Sequence, residues 1–306
     1  MHFFNYLRSR LNDGETFSQL LFLIVKLGLI AWLILGYSIL AGAQSFKVGS
    51  FNIRYDTPLD TGNLWVQRAP VVANLIRFHD FDVLGTQEGL KNQLDDLTAA
   101  LPEYQRYGVG RDDGKESGEF SAIYFKKDKY KLVKSGDFWL SETPEKPSKG
   151  WDATCCNRLC TWIQLEDKVS ASRFYVFNAH FDHKGRIVRV ESAKLILAKM
   201  AEIVGKEPAI LTGDFNGGHT SEWYTTLAES PLLMDSYKQV KYPYRNNGST
   251  NAFGKSPAST QVIDHVLVTQ HFQVKKWGVL TDTYHGKYPS DHFPIAVELL
   301  FKSKQN

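Results

Sequence analysis

The 306-residue chain has only three cysteines, and Cys155, Cys156 and Cys160 crowd into one short segment. No spaced cysteine or histidine partners accompany them, so nothing points to a zinc-built fold. What remains is ordinary: small buried hydrophobes, or one local bridge with at least one thiol left over. Strong charge of either sign is also missing. Thirty-six Lys and Arg against 33 Asp and Glu leave a formal net charge of +3, too little to imply nucleic acid. The lysines of Lys126-Lys127-Asp128-Lys129-Tyr130-Lys131 read as the wet face of a hairpin. There is no internal repeat. Long apolar runs are absent except for one.

That run is Leu20–Leu40, interrupted by Lys26, Ser38 and two glycines. It follows Arg8 and Arg10 and closes in Ala41-Gly42-Ala43, the pattern of a secretory signal cleaved after Ala43. Its length also suits a transmembrane span of about 20 residues, and the polar lead is long for a signal. The expectation is therefore export, to the periplasm or the outside, or membrane attachment through residues 20–40. Positive charge keeps the N-terminus cytoplasmic either way. Residues 1–43 are assigned to this segment and 46–301 to a single domain.

From Phe46 onward strand-like and helix-like segments alternate without a long linker. Ser45–Ile53, Asp82–Gly85, Ser121–Phe125, Tyr130–Trp139, Leu159–Leu165, Phe174–Ala179, Ala209–Leu211, Val262–Val268 and Pro294–Leu300 read as strands. Ala69, Val72, Ala73 and Ile76 repeat at helical spacing, as do Leu94, Leu97 and Leu101. Val190, Ala193, Leu197, Met200, Ala201 and Val204 mark the clearest helix face, and Glu222–Ala228 a shorter one. Crossover helices do not separate every strand pair. An α+β fold of two packed, mostly antiparallel sheets with outer helices is expected, rather than a doubly wound parallel sheet.

The chemistry gathers at strand ends, most densely in Leu211-Thr212-Gly213-Asp214-Phe215-Asn216. Gly213 is expected to release the strand into a turn, and Asp214 and Asn216, two apart, to share a face. One accepts a proton or orders a water; the other donates to an oxyanion. An Asp/Asn-Gly turn is the plain alternative. Asn52, Glu88, Glu119, Arg158, His180, Asp264 and Asp291-His292 also adjoin apolar strands. Each alone has a dull explanation. Together they form an inventory for holding a hard cation by oxygen and attacking a phosphate.

The order Asn52-Ile53-Arg54, Gln87-Glu88, Asn178-Ala179-His180, Gly213-Asp214-Phe215-Asn216, Ile263-Asp264-His265, Ser290-Asp291-His292 resembles the endonuclease/exonuclease/phosphatase superfamily. That group includes deoxyribonuclease I, abasic-site endonucleases, neutral sphingomyelinases and inositol-polyphosphate 5-phosphatases. The resemblance implies that Asn52 and Glu88 hold a divalent metal, usually magnesium with manganese as the substitute, with Asp291 at or near it. It implies that Asp214 activates water, Asn216 orients the nucleophile or stabilises charge, and Asp264 orients His292 toward the phosphate. In the deoxyribonuclease branch the match to Glu119 pairs with the match to His180, and the match to Arg158 reaches phosphate. Asp182 and His183 follow His180 closely enough to touch substrate, and are placed behind this set. His265, alternating with Asp264, points away and packs.

The function expected is hydrolysis of a phosphate ester by activated water, with diesters favoured over monoesters. A lipid or sugar phosphate is the rival substrate, and a binding module without turnover the rival class. No protein partner is implied. Asp264–His292 and Glu119–His180 are expected as two carboxylate–imidazole pairs flanking one phosphate, each raising the basicity of its ring.

Overall fold

Continuous burial of the central strands, more than alternation, sets the architecture. The computed structural model describes residues 22–29, 45–255 and 259–302. In chain order the elements are β1 (Phe46–Asn52), α1 (Trp65–His79), β2 (Val83–Gln87), α2 (Lys91–Ala100), β3 (Tyr104–Tyr107), β4 (Ile123–Lys126), β5 (Tyr130–Trp139), β6 (Leu159–Asp167) and β7 (Arg173–His180). They continue with α3 (Arg186–Val204), β8 (Ala209–Asp214), α4 (Glu222–Ala228), β9 (Met234–Asp235), β10 (Asp264–Val268), β11 (Phe272–Val279) and β12 (Ile295–Phe301).

One sheet runs β11-β12-β1-β2-β4-β3 and the other β5-β6-β7-β8-β10-β9. Each contains one parallel pair, β1 with β2 and β7 with β8, and is otherwise antiparallel. The parallel pairs require crossovers, supplied by α1 and α3. Central strands such as β7, buried from Phe174 to His180, have both faces covered, which is why they read as continuous apolar runs. Phe46, Val48, Ile123, Val176, Val266 and Val297 belong to the core between the sheets. A second core, with Val72, Ile76 and Leu94, lies under α1 and α2. A third, with Ala193, Ile196 and Met200, lies under α3 and α4. The layers are thus helix, sheet, sheet, helix.

The structure corrects several local readings. On α3 the buried face is Val190, Ala193, Ile196, Met200 and Val204, while Leu197 is half-buried and Ala201 exposed. Three strands, β3, β9 and β11, were not legible. In β11 a register shift between Val274 and Lys276 breaks the alternation, as a bulge does.

The chain divides into two units, Met1–Gln44 and Ser45–Asn306. Of the first, only the helical residues 22–29 are described. Most of the Leu20–Leu40 run and the Ala41-Gly42-Ala43 site lie outside the described residues. Among the described residues no helix is long and apolar enough to cross a membrane.

Candidate active site

Strand direction decides which side chains meet. β1 and β2 end side by side, with Asn52 opposite Gln87. β7 and β8 end with His180 opposite Asp214, and antiparallel β10 begins with Asp264 opposite Asp214. Ile295 pairs with Ser50, so Asp291-His292 arrives from the antiparallel side at the same edge. Beneath this edge a polar layer joins the sheets. Gln87 Nε2 donates to Asn178 Oδ1 at 2.7 Å, and Thr212 Oγ1 donates to the same oxygen at 3.1 Å. Asn178 Nδ2 donates to the carbonyls of Thr86 and Ala122. Apart from Gln87 Oε1, which has no partner, these buried groups are paired, as most buried polar groups are.

Three residues leave the strands in the left-handed region: Arg54 (φ 58°), Glu88 (φ 64°) and Asn216 (φ 47°). Such backbone costs of order 1 kcal/mol or more per residue and persists where hydrogen bonds over-determine it. Here the Asn216 N–H donates to Asp214 Oδ1 at 2.9 Å, and the Tyr55 N–H to Glu88 Oε2 at 3.2 Å. Asp214 and Asn216 are therefore joined by a turn, not by extended backbone. Gly213 does not release the strand either. It stays in β8, between Ala179 and His265, and β8 runs on to Asp214.

Glu88, Asp214 and Asp291 all reach one cavity of about 660 Å³. Burial raises the pKa of Asp214, with Asp264 adding to the shift. Burial likewise raises that of Asp291, and Glu88 adds to it. Carboxylates held together in this way are what a hard divalent cation relieves, and no thiolate competes among the oxygens. Asn52 is tied to the other expected ligands. Its Nδ2 donates to Glu88 Oε1 and Asp214 Oδ2, both at 3.0 Å, while its Oδ1 accepts from the Arg54 N–H at 3.0 Å. Placed so, it holds the two carboxylates, and its Oδ1 keeps a second lone pair. Arg54 joins the acidic side as well, bonded to Asp60 at 2.8 Å and 3.8 Å from both Glu88 and Asp291.

The two histidines differ sharply. His292 Nδ1 lies 2.9 Å from Asp264 Oδ2, and its Nε2 is 3.8 Å from Asp214. Burial alone would lower its pKa, but Asp264, Asp214 and Asp291 together hold it well above the usual value. The carboxylates thus favour the charged form of this ring, in which Nε2 carries a proton. His180 is pushed down to about 3, first by burial and then by the nearby Arg158 guanidinium. Its ring is neutral, with Nε2 3.2 Å from Asn216 Nδ2 and 3.6 Å from Asp214.

The expected Glu119–His180 bond is absent. Glu119 Oε2 is 3.6 Å from His180 Nδ1, an ion-pair distance only for a charged ring, and that Nδ1 has no hydrogen-bond partner. Glu119 instead accepts from Arg111 Nη1 at 2.6 Å, because a guanidinium offers the stronger, charge-assisted bond. Arg158, 5% exposed, sits 3.9 Å from Glu119 and 3.2 Å from His183 Nδ1. Its Nε and Nη1 have no protein partner.

The cavity is lined by Arg54, Tyr55, Glu88, Arg111, Glu119, Cys155, Cys156, Arg158, His180, His183, Asp214, Asn216, Asp291 and His292. His183 thus reaches the cavity wall, whereas Asp182 is buried and caps the backbone N–H groups of Lys184 and Gly185. Arg111, Tyr55 and the adjacent cysteines had no spacing signal, because loops bring them in. His265 faces away as its alternation implies; it is 2% exposed, with Nε2 2.9 Å from the Gly217 carbonyl. Asp264 lies behind His292, fully buried.

Residues 49–292 match the model of the Endonuclease/Exonuclease/phosphatase family. A Bacteroides thetaiotaomicron protein of that family is 46% identical, with TM-score 0.83 over 86% of this chain and 100% of that one. A Bacteroides thetaiotaomicron mannosyl-6-phosphatase is also 46% identical, with TM-score 0.81 over 84% of this chain and 100% of its own. An uncharacterized protein of Acanthamoeba polyphaga mimivirus is 25% identical across 76% of this chain and 91% of its own length.

Proposed function

This chain belongs to the endonuclease/exonuclease/phosphatase family, a family of phosphoester hydrolases, and from that premise we propose that it is a magnesium-dependent sugar-phosphate monoesterase. The observation that carries the substrate class is the mannosyl-6-phosphatase, 46% identical and covered over its whole length. It moves the reading from the diester favoured by the sequence to the monoester that was its rival. A non-catalytic module is disfavoured because three imidazoles, three guanidinium groups and four carboxylates still converge on one cavity.

Glu88 and Asp291 would supply the cation's oxygen ligands, with Asp214 beside them and Asn52 positioning Glu88 and Asp214. Magnesium, or manganese in its place, would polarise a non-bridging phosphate oxygen. Asp214, fully buried and raised in pKa, takes a proton from the attacking water. Asn216 and neutral His180 orient that water or the phosphate. His292 donates from Nε2 to phosphate oxygen, with Asp264 fixing its tautomer, and the unpaired donors of Arg158 bind another oxygen. Glu119 acts by aligning Arg111 and Arg158. Export, or membrane attachment, through residues 1–43 is part of the same proposal, since a secretory pattern precedes the domain.

The test is hydrolysis of a panel of hexose 6-phosphates, p-nitrophenyl phosphate and bis-p-nitrophenyl phosphate by the full chain, with magnesium and with excess chelator. Hexose 6-phosphates should lead, chelation should abolish turnover, and Glu88→Gln should raise the magnesium requirement sharply. Preference for the diester would return the reading to a phosphodiesterase, and full activity in chelator would sink the metal.

A further inference from the structure

Nearly every side chain around the catalytic cavity is charged or strongly polar, with three exceptions: Tyr55, Cys155 and Cys156. Tyr55 comes from the loop after β1, in one sheet. The cysteines come from the connection between β5 and β6, in the other. They are bonded to each other, so neighbouring residues close a small ring and present two sulfurs with no thiol proton. Cys155 is exposed and Cys156 half-buried, which puts the pair at the cavity rim rather than in the core. Their loop is held on both sides. Asp152 accepts from the Ile187 and Val188 N–H groups at 3.1 and 2.6 Å, at the start of α3. Asn157 Nδ2 donates to the Arg111 carbonyl at 3.3 Å.

A phosphate gripped by Arg158 and His292 leaves its ester group to lie along the remaining wall. A ring-shaped leaving group has C–H or π faces that polar groups cannot satisfy, whereas polarisable sulfur makes favourable contacts with such faces. We propose that the Cys155–Cys156 disulfide is a specificity-determining wall that packs against the ring of the leaving group. This rests on the sugar-phosphate reading for the identity of the natural ring, not for the existence of the contact. Dithiothreitol would transfer two electrons and two protons to the bond, giving two thiols and the cyclic dithiothreitol disulfide, and the wall would lose its closed ring.

The experiment uses the full chain purified without reductant. Alkylation of the unfolded protein should label one thiol, Cys160, and three after dithiothreitol. Three labelled thiols without reductant would overturn the proposal. With magnesium present, reduction should raise KM for a hexose 6-phosphate and for p-nitrophenyl phosphate about 3- to 10-fold relative to KM for ring-free glycerol 3-phosphate, the size of a sulfur–ring contact. The double variant Cys155→Ala/Cys156→Ala, which removes both sulfurs, should raise the same relative KM at least as far as reduction does. If that variant does not fold, reduction of the wild type decides alone. Unchanged relative KM values under reduction would overturn the disulfide's role. Failure to hydrolyse any hexose 6-phosphate would instead overturn the sugar reading, and the p-nitrophenyl phosphate arm would still judge the disulfide.

Discussion

At the scale of single residues, one carboxylate–imidazole pair survives and one does not. Asp264 and His292 are bonded at 2.9 Å, so Asp264 should act only through its ring. Asp264→Asn should slow the wild type by ~10²–10⁴, yet add little once His292 is Ala, because groups acting as a unit are not additive. Equal cost in both backgrounds would make Asp264 an independent ligand. Glu119 is bonded to Arg111, not His180, so Glu119→Gln should be strongly coupled to Arg111→Ala and near-additive with His180→Ala in kcat/KM. Coupling to His180 alone would restore the pairing that the sequence suggested. The first pair was legible through the family resemblance that Ile263-Asp264-His265 and Ser290-Asp291-His292 carry, and the antiparallel strands beside them bring both motifs to one edge. Arg111 was not, because it lies on a loop and nothing in its spacing says which carboxylate it will find.

Among the elements, the long and regular ones were legible and the short or interrupted ones were not. α3 is 19 residues long, and β5 through β8 are apolar or strand-like runs of six to ten residues. β3 offers only four residues, with Tyr104 alone buried, and β9 only two. Gly213 shows how a local rule was overridden by pairing. A turn needs glycine for its backbone freedom, but this glycine is needed for close approach within the sheet. A Cβ there would stand 2.2 Å from the Ala179 carbonyl oxygen, on the parallel partner strand. Backbone cannot swing aside as a side chain can. Gly213→Ala should therefore force β7 and β8 apart, destabilising by roughly 1–3 kcal/mol as overpacking does, and displace His180 and Asp214. Denaturant unfolding measures the first effect. An unchanged midpoint would mean that the strands part freely and that glycine is retained there for another reason.

For the molecule as a whole, the layering followed from the strand inventory, but the sealing of ionisable groups inside it did not, since burial belongs to the finished fold. His265 sits in the interior below the catalytic edge, bonded to the Gly217 carbonyl and against the rings of Phe215 and Tyr224. Burial pushes its pKa from 6.5 down to about 4, against the pull of Asp235. Unfolded, it takes up a proton as pH falls through 6.5; folded, it resists until about 4. Between those values the unfolded state binds more protons, so stability rises with pH across the window and is lost as pH falls. Over 2.5 pH units at 1.36 kcal/mol per unit, this one ring accounts for roughly 3 kcal/mol. His292 has the opposite sign and a different window. Its raised pKa gives stability fully present below 6.5 and lost as pH rises through the folded value, so it adds no slope between 4 and 6.5. Buried carboxylates with raised pKa values, Asp137, Asp214 and Asp291, lose stability as pH rises above about 3.8, and would blur the wild-type curve. The clean quantity is therefore a difference. His265→Gln keeps a donor for Gly217 but cannot titrate, so wild type minus variant should lose stability steadily from pH 6.5 to 4, measured by urea unfolding without metal. A flat difference across that window would mean that His265 is as easily protonated folded as unfolded, and that the floor under the catalytic strands is open to water.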